Sequence, residues 1–228
     1  MVYLGRVVAI GRTKEGRPCC AYAVSGRSRS SRMRRAILHH KRVAIEPLIG
    51  VQEGQGDQAS LIFYDCITYN DYPPLIVIGN GNQVNSIFDL FSSEESSVKN
   101  MREILKELGP EPDSYHTPRI AGAIWKPSKD SPWRYCVGMI TSEDFDVKII
   151  TIPKNRLVYL STYTGDELEP KAPKFDSIDD ILKEIDLEGS SAGDFADSMF
   201  DWMDHKFIVC TASAVWMNDR WELAVRNR

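Results

Sequence analysis

Apolar residues along this chain fall into short runs parted by turn residues, and in a few stretches they recur at helical spacing instead. Tyr3 to Ile10 and Cys19 to Val24 predict two strands joined across the turn-rich segment Gly11 to Pro18. Arg42 to Pro47 predicts a short strand, and the polar, glycine-rich stretch Gly50 to Ser60 predicts a surface loop. Leu61 to Tyr69 and Leu75 to Ile78 predict the next strands, followed by a tight turn at Gly79-Asn-Gly-Asn82, where both residue types tolerate positive φ. From Val98 to Leu108, the residues Val98, Met101, Ile104, Leu105 and Leu108 form one helical stripe that stops at Gly109-Pro110. Ile178, Ile181, Leu182 and Ile185 predict a second helix capped by Ser177, and Phe195, Met199 and Met203 a third. Ile120 to Trp125, Arg134 to Ile140, Val147 to Ile152 and Leu157 to Ser161 predict further strands. A last hairpin, Phe207 to Trp216 and Trp221 to Val225, turns at Asn218-Asp219.

Strands in antiparallel-looking runs with helices clustered between them place the chain in the α+β class. Continuous apolar strands are buried on both faces, so the pattern predicts two sheets packed together with helices over their outer faces. No repeat or linker interrupts residues 1–228, which read as one domain. No apolar run nears the ~20 residues needed to cross a bilayer, and the opening residues lack the pattern of a secretory signal. The five cysteines are scattered, none in a C-x-x-C pair, which predicts a reduced, cytoplasmic protein. The four histidines show no ligand spacing, so no metal site is expected, and no phosphate-binding glycine motif follows a strand.

Charge then singles out one segment. The formal net charge is -4, yet Arg27, Arg29, Arg32, Arg34, Arg35, Lys41 and Arg42 crowd one stretch, interleaved with Ser28, Ser30 and Ser31. Guanidinium forks and hydroxyls suit an oxyanion. A solvated surface and a nucleic-acid contact are the competing readings of such a run, and the acidic balance of the chain weighs against nucleic acid.

The pattern as a whole resembles the archaeal-type inosine monophosphate (IMP) cyclohydrolase family. The residues that carry the resemblance run nearly end to end: Tyr3-Leu-Gly-Arg6, Tyr22-Ala-Val-Ser25 leading to Arg27-Ser28 and Arg32, Tyr64-Asp-Cys66, Asn80-Gly81, Thr117-Pro-Arg-Ile-Ala121, Ser161-Thr-Tyr163, Thr211-Ala212 and Trp221 to Arg226. The resemblance implies a four-layer αββα sandwich similar to the N-terminal-nucleophile hydrolases, without their processed nucleophile, since the chain opens Met1-Val-Tyr3. It implies dehydrative ring closure of 5-formamidoimidazole-4-carboxamide ribotide (FAICAR) to IMP, with no metal or organic cofactor. The partner it implies is a small purine ribotide, neither nucleic acid nor membrane, and homo-oligomer formation is left open. A purine-ribotide-binding protein of the same fold that does not cyclise, or that acts on a shifted substrate, is the alternative.

Carried over by motif, Arg32 is expected to donate to the developing oxyanion and Glu111, stiffened between Pro110 and Pro112, to transfer protons. Arg27, Ser28 and Arg119 are expected at the 5′-phosphate, with Thr117-Pro118 either opening a helix toward it or entering a strand. Tyr22, Cys66 and Asn80 are expected to line the base pocket, although Asn80 also suits a turn and Cys66 a buried thiol. The chain departs from the family pattern at Arg29-Ser-Ser31, Asp65 and His116.

Overall fold

The computed structural model describes residues 2–48, 63–93, 97–165 and 169–228. In chain order the elements are β1 (Arg6–Arg12), β2 (Pro18–Ser25), a single turn α1 (Arg29–Arg32), β3 (Arg34–His39), β4 (Arg42–Pro47), β5 (Tyr64–Asp71) and β6 (Pro74–Gly79). Next come α2 (Gln83–Ser93), α3 (Ser97–Leu108), β7 (Arg119–Trp125), β8 (Arg134–Ile140), β9 (Phe145–Ile150) and β10 (Arg156–Ser161). A 3₁₀ turn (Ile178–Asp180), β11 (Lys183–Ile185), α4 (Ala192–Trp202), β12 (Ile208–Met217) and β13 (Arg220–Asn227) follow. They build two antiparallel sheets, ordered β11-β10-β1-β2-β12-β13 and β3-β4-β5-β6-β7-β8-β9.

The strand sequences explain the packing. Every residue of β2 is buried. Cys20, Tyr22 and Val24 join a core that also takes Ile45, Ile67, Ile78, Ile120 and Ile124 from the other sheet. The alternate residues Cys19, Ala21 and Ala23 face outward, against Phe195 and Met199 of α4. Period-two alternation thus puts large side chains between the sheets and small ones beneath the helix. On the second sheet, Ala121 and Ala123 of β7 lie under Val84 and Ile87 of α2 and Met101 and Leu105 of α3.

Three readings of the sequence are corrected. Ser177 does cap a turn, accepting from Asp179 N. The chain then leaves the helix after Asp180 and enters β11, which pairs with β10. Ile178, Ile181 and Leu182 pack on the intersheet core whereas Ile185 belongs to the core under α4, so the four never formed one stripe. α2 was not anticipated, although Val84, Ile87, Phe88 and Phe91 recur at helical spacing; the turn residues before it masked the period. β3 lies inside the arginine-rich stretch, where charge hid an edge strand. The loop expected at Gly50–Ser60, and the first residues of the strand expected from Leu61, lie outside the described residues.

Candidate active site

Register sets the start of β1 beside the end of β10 and the end of β6 beside the start of β7, and side-chain contacts from Arg6, Asn80, Thr117 and Tyr163 join the two pairs at one end of the sheets. Glu111, in the loop between α3 and β7, lies there, with 1 % of its surface exposed. Its backbone N–H donates to Thr117 O (2.8 Å), which fixes the loop against the entry to β7. Asp113 closes the same loop, accepting from the N–H groups of Tyr115 and Thr117 and from Thr117 Oγ1. Thr117 Oγ1 also meets Tyr163 OH at 2.7 Å.

Two partners hold the carboxylate. Arg6 Nη2 lies 3.2 Å from Glu111 Oε2, and Asn80 Nδ2 donates to Oε1 at 3.0 Å. Asn80 is fully buried and uses its whole amide, donating also to Pro118 O and accepting from Gln83 Nε2 and Ile120 N. Arg119 Nη1 donates to Gln83 Oε1 (3.0 Å) and Nε to Gly109 O (3.0 Å), so the guanidinium is fixed beside the same group. Gly81 is required by close approach: a Cβ there would sit 2.7 Å from Gln83 Oε1 and 2.8 Å from Arg119 Nη1. Gly5, at φ +73°, lets the chain enter β1 against Thr162 and the Tyr163 ring, which a Cβ would overlap.

Burial dominates the electrostatics of this cluster. It raises the Glu111 pKa above the usual carboxylate range, although Arg6, Arg119 and Arg34 pull the other way. Burial would lower the pKa of Arg6, but Glu111 and the ring hydroxyls of Tyr64, Tyr22 and Tyr163 outweigh it and lift it well above its usual value. Arg6 therefore stays cationic, while the acid beside it is tuned toward accepting a proton.

The other expected site residues take varied positions. Tyr22 is fully buried, its hydroxyl 2.6 Å from Tyr64 OH, and burial pushes its pKa well up. Arg6 faces both rings electrostatically. Cys66 sits inside the intersheet core, with Sγ donating to Val43 O. Burial likewise pushes its pKa well above the usual thiol value. Ser28 caps α1 by accepting from Ser31 N. The Arg27 guanidinium lies over the rings of Tyr3 (5.0 Å) and Tyr115 (5.7 Å). Arg32 is exposed and donates through Nε to Gly26 O (2.9 Å). Among the described residues, no hydrogen bond or ion pair joins Arg32 to Glu111. Thr117-Pro118 enters β7 as extended chain, not as a helix start. Of the departures, Asp65 is engaged by Arg42 (3.1 Å) and Asn85 (2.8 Å), and His116 takes positive φ (45°) in the Glu111 loop.

The structure thus brings Glu111, Asn80, Thr117 and Arg119 into one bonded cluster. It adds Arg6, Gln83 and Tyr163, to which the sequence gave no role, and sets Arg34 and Tyr64 within their electrostatic reach. Arg6 and Tyr163 lie in quoted motifs, yet their meeting with Glu111 and Thr117 depends on strand pairing alone. Gln83 carried no motif. Among the described residues, no group of three or more His, Cys, Asp or Glu side chains is placed to hold a metal ion.

Comparison with known sequences agrees along the whole chain. The family model described as IMP cyclohydrolase-like protein matches residues 3–220. An IMP cyclohydrolase of Methanocaldococcus jannaschii is 26 % identical over 227 residues, covering all of both chains. Those of Methanosphaera stadtmanae and Methanothrix thermoacetophila are 28 % and 29 % identical, each alignment spanning at least 99 % of either chain.

Proposed function

The chain belongs to the IMP cyclohydrolase-like protein family, and from that premise we propose that it is an IMP cyclohydrolase, closing the ring of FAICAR to IMP with loss of water. The structural observation that carries this reading is the Glu111 carboxyl, buried, raised in pKa and held between Arg6 and Asn80.

The chemistry makes defined demands. The carboxamide nitrogen of the substrate attacks the formyl carbon, forming the new C–N bond while negative charge builds on the formyl oxygen. The proton lost by that nitrogen reaches the formyl oxygen and gives a hydroxyl. A second proton, from the former formamide N–H, reaches the hydroxyl as the ring C=N bond forms and the C–O bond breaks, releasing water. Both reacting groups sit on one imidazole ring, so much of the proximity is intrinsic to the substrate, on the order of 7–11 kcal/mol in well-oriented cases. The protein supplies proton transfer and charge stabilisation. Glu111 takes the first role: with its pKa raised by burial, it accepts the proton from nitrogen and returns it to the departing oxygen. Arg32 takes the second; it anchors through Nε alone, leaving both terminal nitrogens to meet an oxyanion.

Arg27, Ser28 and Arg119 are assigned to the 5′-phosphate, and Tyr22, Cys66 and Asn80 to the walls around the base. The stacking of Arg27 on Tyr3 and Tyr115, at the mouth of the Glu111 loop, supports its part of that assignment. Arg27→Gln is expected to raise the KM for the ribotide about tenfold with little change in kcat, since hydrogen bonds to charged groups contribute ~1.5–3 kcal/mol. Steady-state kinetics on the purified variant reads this directly, and an unaltered KM removes Arg27 from the phosphate.

We carry the fold reading to a single domain with the four-layer αββα order of the N-terminal-nucleophile hydrolases. The intersheet core and the separate cores under α4 and under α2 and α3 support it. A cytoplasmic location is supported by five cysteines that are all buried thiols. No helix among the described residues is long and apolar enough to cross a membrane.

The deciding experiment follows IMP formation from FAICAR by absorbance with purified protein and no added metal. Turnover establishes the activity. Tight ribotide binding without product identifies a binding protein of the same family instead.

A further inference from the structure

We propose, resting on the ring-closure reading above, that Tyr163 reads the attacking nitrogen. Its hydroxyl oxygen accepts a hydrogen bond from the N–H that this nitrogen keeps, and Thr117 and Asp113 are the positioning residues that make the hydroxyl accept rather than donate. The retained N–H of the carboxamide becomes the lactam N–H of the product, so the same contact sets which nucleobase the site takes.

The count of protons fixes the direction of each bond. A carboxylate only accepts, and Thr117 Oγ1 donates to Asp113 Oδ2 at 2.6 Å. Asp113 Oδ1 takes the backbone N–H groups of Tyr115 (3.1 Å) and Thr117 (2.9 Å), which locks the carboxylate to its loop. The Thr117 hydroxyl has a single proton, already given to Asp113, so its 2.7 Å contact with Tyr163 OH uses the proton of the tyrosine. Burial pushes the Tyr163 pKa up to about 12, so that proton is present throughout the neutral range. With it committed to Thr117, the phenol oxygen meets a ligand only as an acceptor.

Tyr163 also stands in the right place. Its ring stacks on that of Tyr3 (5.8 Å between centroids, 23° between planes), and Tyr3 carries the Arg27 guanidinium assigned to the phosphate. Its hydroxyl lies within electrostatic reach of Arg6, the partner of Glu111, and is bonded to Thr117, whose carbonyl accepts from the Glu111 N–H. The side chain is buried, and its ring packs so closely on Gly5 that a Cβ there would sit 2.6 Å from Cδ2. A fixed acceptor for one proton of the carboxamide nitrogen turns the other toward Glu111, which is the orientation that attack requires. The same acceptor opposes an adenine-type ring, whose N1 presents a lone pair where hypoxanthine presents N–H.

Calorimetric titration with IMP and with AMP, which carry N–H and a lone pair at N1, provides the test. The wild-type protein is expected to prefer IMP by about tenfold or more, since a site built to hydrogen-bond a ligand N–H rejects an analogue lacking it. Tyr163→Phe keeps the ring on Tyr3 and is expected to weaken IMP about tenfold while changing AMP little. Thr117→Val keeps the shape of the side chain but frees the tyrosine proton to point at the N1 of AMP. AMP is therefore expected to bind more tightly to this variant and IMP more weakly, and Thr117→Ser, which keeps the hydroxyl, to retain the wild-type preference. A purely structural role would weaken both nucleotides alike. Should Tyr163→Phe fold poorly, the two Thr117 variants decide alone. Any of three results overturns the proposal: equal wild-type affinities, an IMP-to-AMP ratio unmoved by either substitution, or binding of neither nucleotide. FAICAR turnover is read separately. A ratio that shifts as expected in a protein that does not cyclise leaves Tyr163 as the reader of the N–H and removes the activity, whereas turnover with an unmoved ratio does the reverse.

Discussion

Glu111→Gln is expected to lower kcat by ~10²–10⁴, the usual contribution of a placed proton-transfer group, while leaving ribotide binding nearly unchanged. Glutamine keeps the shape of the side chain and a carbonyl oxygen able to accept from Asn80 Nδ2, so the network around Asn80 survives. What disappears is the titratable oxygen facing Arg6. Single-turnover measurements with FAICAR, paired with calorimetric binding of IMP, separate the two quantities. Near-normal turnover would remove the carboxylate from the mechanism. In the wild-type protein, the activity limb that reports this group is expected above the usual glutamate range, because burial raises its pKa.

Arg6→Met should carry the second largest effect, this time on stability. The variant leaves Glu111 buried without its ion-pair partner, and removing one member of a buried pair costs ~3–5 kcal/mol. The deficit is expected to depend on pH. A carboxyl whose folded pKa is raised contributes stability that is full below its unfolded value and is lost as pH rises through the folded one. Loss of Arg6 raises the folded value further, so the deficit is largest near neutrality and shrinks as pH falls toward the ordinary glutamate range. Urea midpoints for both proteins at neutral and mildly acidic pH give the comparison. A deficit equal at both would mean that Arg6 contributes packing rather than charge.

The strands were legible because burial on both faces writes itself as continuous apolar runs. β2, β7, β8 and β12 stand where those runs predict them, within a residue or two at their ends. The α3 stripe was equally plain and the α4 stripe, marked by Phe195, Met199 and Met203 alone, was weaker; each helix faces one sheet. Ile178 to Ile185 failed because a stripe records only that residues are apolar, not that they share a neighbour; the chain divides them between two cores. Arg34 reads from sequence as one more surface charge, yet it is buried, tied to the carbonyls of Ser31 in α1 and Ser25 at the end of β2. Nothing local distinguishes it from Arg29, which is exposed.

For the site, the chain on its own singled out the arginine and serine loop by its charge, and Glu111, Asn80 and Thr117-Pro-Arg119 entered as candidates through the family resemblance. It also determined the class of fold, since strand and helix periods are local properties of the sequence. Only the tertiary structure decided that Arg6 is the partner of Glu111, that Glu111 and the chain entering β7 rather than a turn engage the Asn80 amide, and that Asn227 joins Ala36 across the edges of the two sheets. The reason is physical: those encounters join residues far apart in the chain, set by antiparallel register and by which end of each strand faces the other sheet, and no local pattern encodes them.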